Sequence, residues 1–183
     1  VLVRIFYDLQ SSLPEDLPAR IQEKISVGLR RTEFQDFGFT IQKLVEVALK
    51  ALSPGVNDPN TAIFCIQDLG LLHRDMADLE HGYVMLTEEG TKGILYREGY
   101  DLNLVLTDTF HQIIHYGRED LCVMLSVVKA HGHILEKATA HHKEVVLAHM
   151  DYVEAILSKG QYEEMDRKLF QREIQEIRRK AEK

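Results

Sequence analysis

The stretch Ala51-Leu52-Ser53-Pro54-Gly55-Val56-Asn57-Asp58-Pro59-Asn60-Thr61-Ala62 decides the fold. Upstream of it, Ile41, Leu44, Val45, Ala48, Leu49 and Leu52 recur at i, i+3, i+4, i+7, i+8 and i+11, which is one face of an α-helix. Pro54 disfavours the helical region at Ser53, so this helix is expected to end there. Gly55 takes a positive φ at no steric cost, which suits a sharp exit. Asp58 is a good N-cap, and Pro59 suits the first helical position, so a second helix is expected from Pro59. Its apolar set is Ala62, Ile63, Cys65, Ile66, Leu69 and Leu72. The unit is an αα-hairpin with its turn at SPGVNDP. Ser53, Asn57, Asp58 and Thr61 have two readings. They cap the two helices, or they stand at a helix start whose spare N–H groups bind a small anion or a partner.

Around this hairpin the chain reads as mainly α, in an α+β arrangement of about six helices, one β-hairpin and a short N-terminal strand. Residues 1–7 are rich in β-branched and aromatic side chains and read as that strand. Pro14 or Pro18 opens a helix through Ile21, Ile25 and Leu29. Thr32 is an N-cap with Gln35 completing a capping box. Arg31 and Asp36 flank it, either as a surface ion pair or as a buried pair tied to the turn. The helix after the turn is expected to run to about Leu79, with Gly82 as its stop. The period then changes: residues 83–87 and 93–97 read as strands joined through residues 88–91. Two strands alone are marginal, so this hairpin is expected to lie against helices or to pair with residues 1–7.

Asp101 caps a further helix with Leu102, Leu106, Phe110 and Ile113 on its apolar side. Another is expected from about Arg118 to Leu135, and one from His141 to Leu157, stopped by Ser158-Lys159-Gly160. Residues 1–160 form one helical domain, and residues 161–183 a charged C-terminal helix. That tail carries Phe170, Ile174, Ile177 and Ala181 at a spacing like a short coiled-coil seam.

Arg31-Thr32, Gln35-Asp36, Phe37-Gly38-Phe39, Leu44-Val45, Ala48-Leu49 and the turn through Thr61-Ala62 together resemble the signature of the DUF2254 family. These are prokaryotic predicted membrane proteins of unknown function. The family pattern reads RT-x-x-QD-x-x-FG, then ALSPG-[IV]-NDP-x-TA. Here Asp36 is followed directly by Phe37-Gly38, a tighter spacing. The resemblance implies an N-terminal portion with several transmembrane helices and a parent in the cell membrane. The chain, opening on Val1, then reads as the C-terminal soluble part, with its own transmembrane region as partner. It implies no established enzyme activity and no ligand. The positions it singles out are Arg31, Thr32, Gln35, Asp36, Ser53, Asn57, Asp58 and Thr61.

With 183 residues, 45% of them hydrophobic, the chain can bury a core. Its net charge of −7 and pI of about 5.7 argue against a nucleic-acid partner and against a polybasic membrane patch. No apolar run approaches the roughly 18–20 residues that span a bilayer, and no signal peptide is visible. Cys65 and Cys122 lie in separate apolar patterns and are expected to be buried free thiols, slow to react.

Asp108, His111 and His115 share a helix face at i, i+3 and i+7. They read as polar residues of a half-exposed face, with no metal favoured, or, with a further ligand from elsewhere, as the ligands of a His/carboxylate metal-dependent hydrolase. The motif lacks the Glu that follows the first His in zinc proteases. His131, His133, His141, His142 and His149 form a second, irregular enrichment. No nucleophile elbow, phosphate cradle or dinucleotide fingerprint is present, so no cofactor is expected. The leading reading is a soluble regulatory or assembly domain of a multi-pass membrane protein. The hydrolase and a small-anion module at the turn are the alternatives. A helix over residues 32–52 is about 30 Å long, so Arg31 and Asp58 cannot meet along it. Antiparallel self-association, or an adjacent helix, would bring Arg31, Asp36, Asn57 and Asp58 into one cluster, whereas local capping would keep the two ends apart. A homo-oligomer is thus one partner arrangement beside the transmembrane region.

Overall fold

The computed structural model describes residues 14–24, 37–79, 83–87, 94–98 and 101–182. The chain divides into two units, Val1–Asp36 and Phe37–Lys183. In the first, α1 spans Leu17–Lys24 and starts where Leu17 N–H donates to the Pro14 carbonyl at 3.1 Å. The expected N-terminal strand, Ile25 and Leu29, and the Thr32–Gln35 capping box lie outside the described residues.

The second unit contains α2 (Phe37–Ala51), α3 (Pro59–Met76), α4 (Leu102–Gly117), α5 (Leu121–Leu135), α6 (Ala140–Lys159) and α7 (Glu164–Ala181). Between α3 and α4, β1 (Tyr83–Thr87) pairs antiparallel with β2 (Ile94–Glu98), in a register that sets Met85 against Tyr96. The connection between the strands, and Gly82 before them, lie outside the described residues. The described chain is thus mostly helical.

α2 buries Ile41, Val45, Ala48 and Ala51, and α3 buries Ala62, Cys65, Ile66, Leu69, Gly70 and His73. These spacings are the helical faces read from the sequence, shifted slightly on α3. There His73 is inside, while Leu72 is 38% exposed. α3 ends at Met76 rather than near Leu79, because Ala77 N–H turns back to the Arg74 carbonyl at 3.2 Å.

α3 packs on both α2 and α5, α4 packs on α2, α5 and α6, and α7 lies along α5 and α6. The α3–α5 crossing is close. A Cβ on Gly70 would stand 2.8 Å from both Cα and Cβ of Ala130. Only two small residues let the backbones approach this far, so the remaining core side chains can interlock around them.

Aspartate and threonine caps set the helix starts. Asp101 accepts from Leu104 N–H at 3.1 Å, and Thr139 from His142 N–H at 3.2 Å. Asp120 accepts from Cys122 and Val123 N–H at 2.8 and 3.0 Å, so α5 begins at Leu121, three residues after the expected Arg118. This start places Cys122 in the first turn of α5, on its outward side. It is exposed, contrary to the expectation of burial, while Cys65 is buried. The apolar run around Cys122 hid which of its members faces out. α7 buries Phe170, Ile174 and Ile177.

Candidate functional site

Two arrangements stand out: the family-like turn and a polar seam of histidines between the helices.

At the turn, Asn57 holds a φ of 50°, the left-handed region that Asn tolerates better than most side chains. Gly55, the expected carrier of that conformation, does not adopt it. Asn57 N–H donates to the Ser53 carbonyl and Asp58 N–H to the Ala51 carbonyl, both at 2.9 Å, which satisfies the last carbonyl of α2 and one in the turn just beyond it. Ser53 Oγ donates to the Lys50 carbonyl at 2.7 Å. Asp58 caps α3, accepting from Thr61 N–H at 3.1 Å on one oxygen and from Thr61 Oγ at 2.5 Å on the other. The Thr61 hydroxyl, then its N–H, hold the Asp58 carboxyl below the usual carboxylate range. Ser53, Asn57, Asp58 and Thr61 are therefore brought together, and their polar groups close the hairpin. An anion at this helix start would have to displace the Asp58 carboxylate. Arg31, Thr32, Gln35 and Asp36 lie outside the described residues.

The seam runs through α3, α4, α5 and α6 around the ring of Phe110. His73 is fully buried, with Nε2 3.0 Å from Thr109 Oγ1. Its ring centroid is 6.1 Å from that of Phe110. His131, also fully buried, lies 5.0 Å from the same ring. A carbonyl only accepts, so His131 Nδ1 must donate to the Val127 carbonyl, 2.7 Å away. Burial, then the neighbouring His149, push His131 down to about 3. At neutral pH it is uncharged, and its Nε2 is an acceptor. His149 Nδ1, 2.7 Å from that nitrogen, must then be the donor. Burial, then His111, push His149 down to about 4. Neutral His149 therefore carries its lone pair on Nε2, which makes no hydrogen bond with the described residues. Each tautomer follows from the one before it.

At the surface end, the Tyr152 ring stacks on His111 at 5.7 Å, and Tyr152 OH is 3.3 Å from His111 Nδ1. Tyr152 also lies 5.5 Å from the His149 ring. Asp108 and His115 are exposed, and His115 meets Tyr116 edge-on at 5.1 Å. Of the proposed hydrolase set, His111 alone joins the seam. Among the described residues, no group of three or more His, Cys, Asp or Glu side chains is placed to hold a metal ion.

His73, Thr109, His131, His149 and Tyr152 were not singled out together by sequence reasoning. The signal was available in the spacing. His131 continues the buried series Val127, Val128, Ile134 on α5, and His73 follows Ile66, Leu69 and Gly70 on α3.

The family model for "Predicted membrane protein (DUF2254)" matches residues 1–132. An uncharacterized protein of Mycobacterium bovis and two of Mycobacterium tuberculosis are each 39% identical over 62 residues, which is 34% of this chain and 12% of the relative. The aligned stretch is thus about an eighth of those relatives' length. No solved structure matches. Among the described residues no helix is long and apolar enough to cross a membrane. With the family model covering well over half its length, this chain belongs to the DUF2254 family of predicted membrane proteins.

Proposed function

We propose that this chain is a water-facing regulatory or assembly portion of a multi-pass membrane protein. The observation that carries the reading is the charge on the outward faces of the helices. α3 exposes Asp68 and Asp75, α6 exposes Glu144, Asp151 and Glu154, and α7 exposes Glu164, Lys168, Arg172 and Arg179. A charge facing lipid costs about 2.5–3.5 kcal/mol even on the lenient insertion scales, so such faces belong in water or against polar partners. The family supplies the membrane context. The turn supports a structural role, because its polar groups engage one another rather than converging on a space for a substrate.

The partner this reading favours is the parent's own transmembrane region. Self-association is the second, with Asn57 exposed at the turn and available to meet Arg31 and Asp36 of another copy. The Asp58 carboxylate already holds Thr61, which leaves Asn57 as the outward group. In the full-length protein, Asn57→Ala is expected to leave membrane insertion intact and to change the size of the detergent-solubilised assembly, measured by native electrophoresis and light scattering. A normally inserted protein in an assembly of unchanged size would contradict the role of the turn.

A further inference from the structure

Where α5, α6 and α7 meet, a pocket of about 420 Å³ opens beside the last turns of α5 and α7. Its floor is apolar. Leu135 and Ile177 are 5% and 7% exposed, and Ile177 lies against the bare backbone of α5 at Gly132. A Cβ there would stand 3.1 Å from Ile177 Cδ1 and Cγ1. The rim is charged: three lysines, Lys129, Lys143 and Lys180, against two glutamates, Glu136 and Glu173.

Several of these charges are already engaged. Glu136 is held by His133 at 3.2 Å and Arg74 at 3.8 Å, and Lys180 by Glu176 at 2.9 Å. Lys143 Nζ donates to the Ala181 carbonyl at 3.2 Å, which uses one of its three N–H groups. Lys129 forms no ion pair with the described residues. Counting each engaged partner with its mate, the rim keeps one positive charge in a chain whose net charge is −7. An apolar floor under unsatisfied ammonium donors, in a volume typical of ligand sites, selects for a ligand with both parts.

We propose that this pocket binds a small amphipathic anion. Its carboxylate or phosphate head lies at Lys129 and Lys143, and its short apolar body lies on Leu135 and Ile177. The inference is independent of the assembly reading, since it concerns α5–α7 and not the turn.

Octanoate, kept monomeric, is the probe. Isothermal titration is expected to show saturable binding of octanoate and none of acetate or octylammonium at the same concentration. The variant Lys129→Gln/Lys143→Gln is expected to bind roughly tenfold more weakly or worse, from loss of two charge-assisted contacts. Ala181→Phe, which fills the pocket, is expected to abolish binding, with circular dichroism confirming that both variants fold. Equal binding of octylammonium, or octanoate affinity unchanged in the lysine variant, would overturn the proposal. Co-sedimentation with phosphatidylglycerol vesicles that is lost in the lysine variant would assign the head to a lipid. Octanoate binding without co-sedimentation would assign it to a free small molecule.

Discussion

Asp58 and Thr61 hold the start of α3 through both carboxylate oxygens. Removing that cap leaves N–H groups at the helix start without a partner. Asp58→Ala is expected to lower the thermal midpoint by roughly 2–4 °C. Gly55→Ala makes the useful contrast. Gly55 has no left-handed φ, and a Cβ there would meet nothing within 4 Å. It should be neutral or slightly stabilising, by reducing the freedom of the unfolded chain. A melting curve for each variant checks both, and a large loss in Gly55→Ala would mean that the turn conformation is misread. The sequence pointed to this turn through Pro54, Asp58 and Pro59, each with a definite backbone effect. It pointed to Gly55 as the left-handed residue, whereas Asn57 holds that conformation, because Gly and Asn both tolerate the region. The cysteines divide in the same way. Cys65 is buried, with its thiol pushed up by burial and then by Asp68, and Cys122 is exposed. A thiol reagent should label Cys122 rapidly in folded protein, and Cys65 only as the protein opens. Equal rates would contradict the start assigned to α5.

The packing of elements depends on small residues as much as on apolar stripes. The stripes of α2, α3 and α7 were legible, because buried side chains recur at helical spacing and charged ones fill the gaps. The α3–α5 crossing was not, since a glycine inside a helical pattern reads only as a weak point. Gly70 carries that crossing. Its replacement by Ala would press a methyl group within 2.8 Å of Ala130 backbone and side chain. Backbone cannot swing aside, so Gly70→Ala is expected to destabilise the fold by about 1–3 kcal/mol in urea unfolding. The paired change with Ala130→Gly should recover part of the loss, because the two positions share one contact. A Gly70→Ala protein as stable as wild type would show that the helices do not approach this closely.

On the scale of the whole molecule, the polar seam makes stability depend on pH. His73, His131 and His149 are pushed to about 4, 3 and 4 from an ordinary value of 6.5. Folded protein keeps them neutral, while the unfolded chain protonates them below about pH 6.5. Their contribution is therefore fully present above pH 6.5 and is lost as pH falls toward 4. Unfolding then takes up as many as three protons, a slope of up to about 4 kcal/mol per pH unit. Urea unfolding between pH 7.5 and 4.5 reads that slope, and His149→Gln should make it shallower by about one proton. Stability that stays flat over this range would mean the histidines are not buried as described. Sequence reasoning missed the seam because it treats His as a polar residue. Here burial neutralises the rings, and each finds a hydrogen-bond partner on the chain, so they pack as core.

The same scale carries the central claim, that a chain of a membrane-protein family presents helices whose charged faces belong in water. Alkaline carbonate extraction of membranes from cells expressing residues 1–183 alone tests it most directly. The account predicts that the chain is recovered in the supernatant, folded and helical by circular dichroism. Retention in the carbonate-washed pellet, released only by detergent, would contradict it.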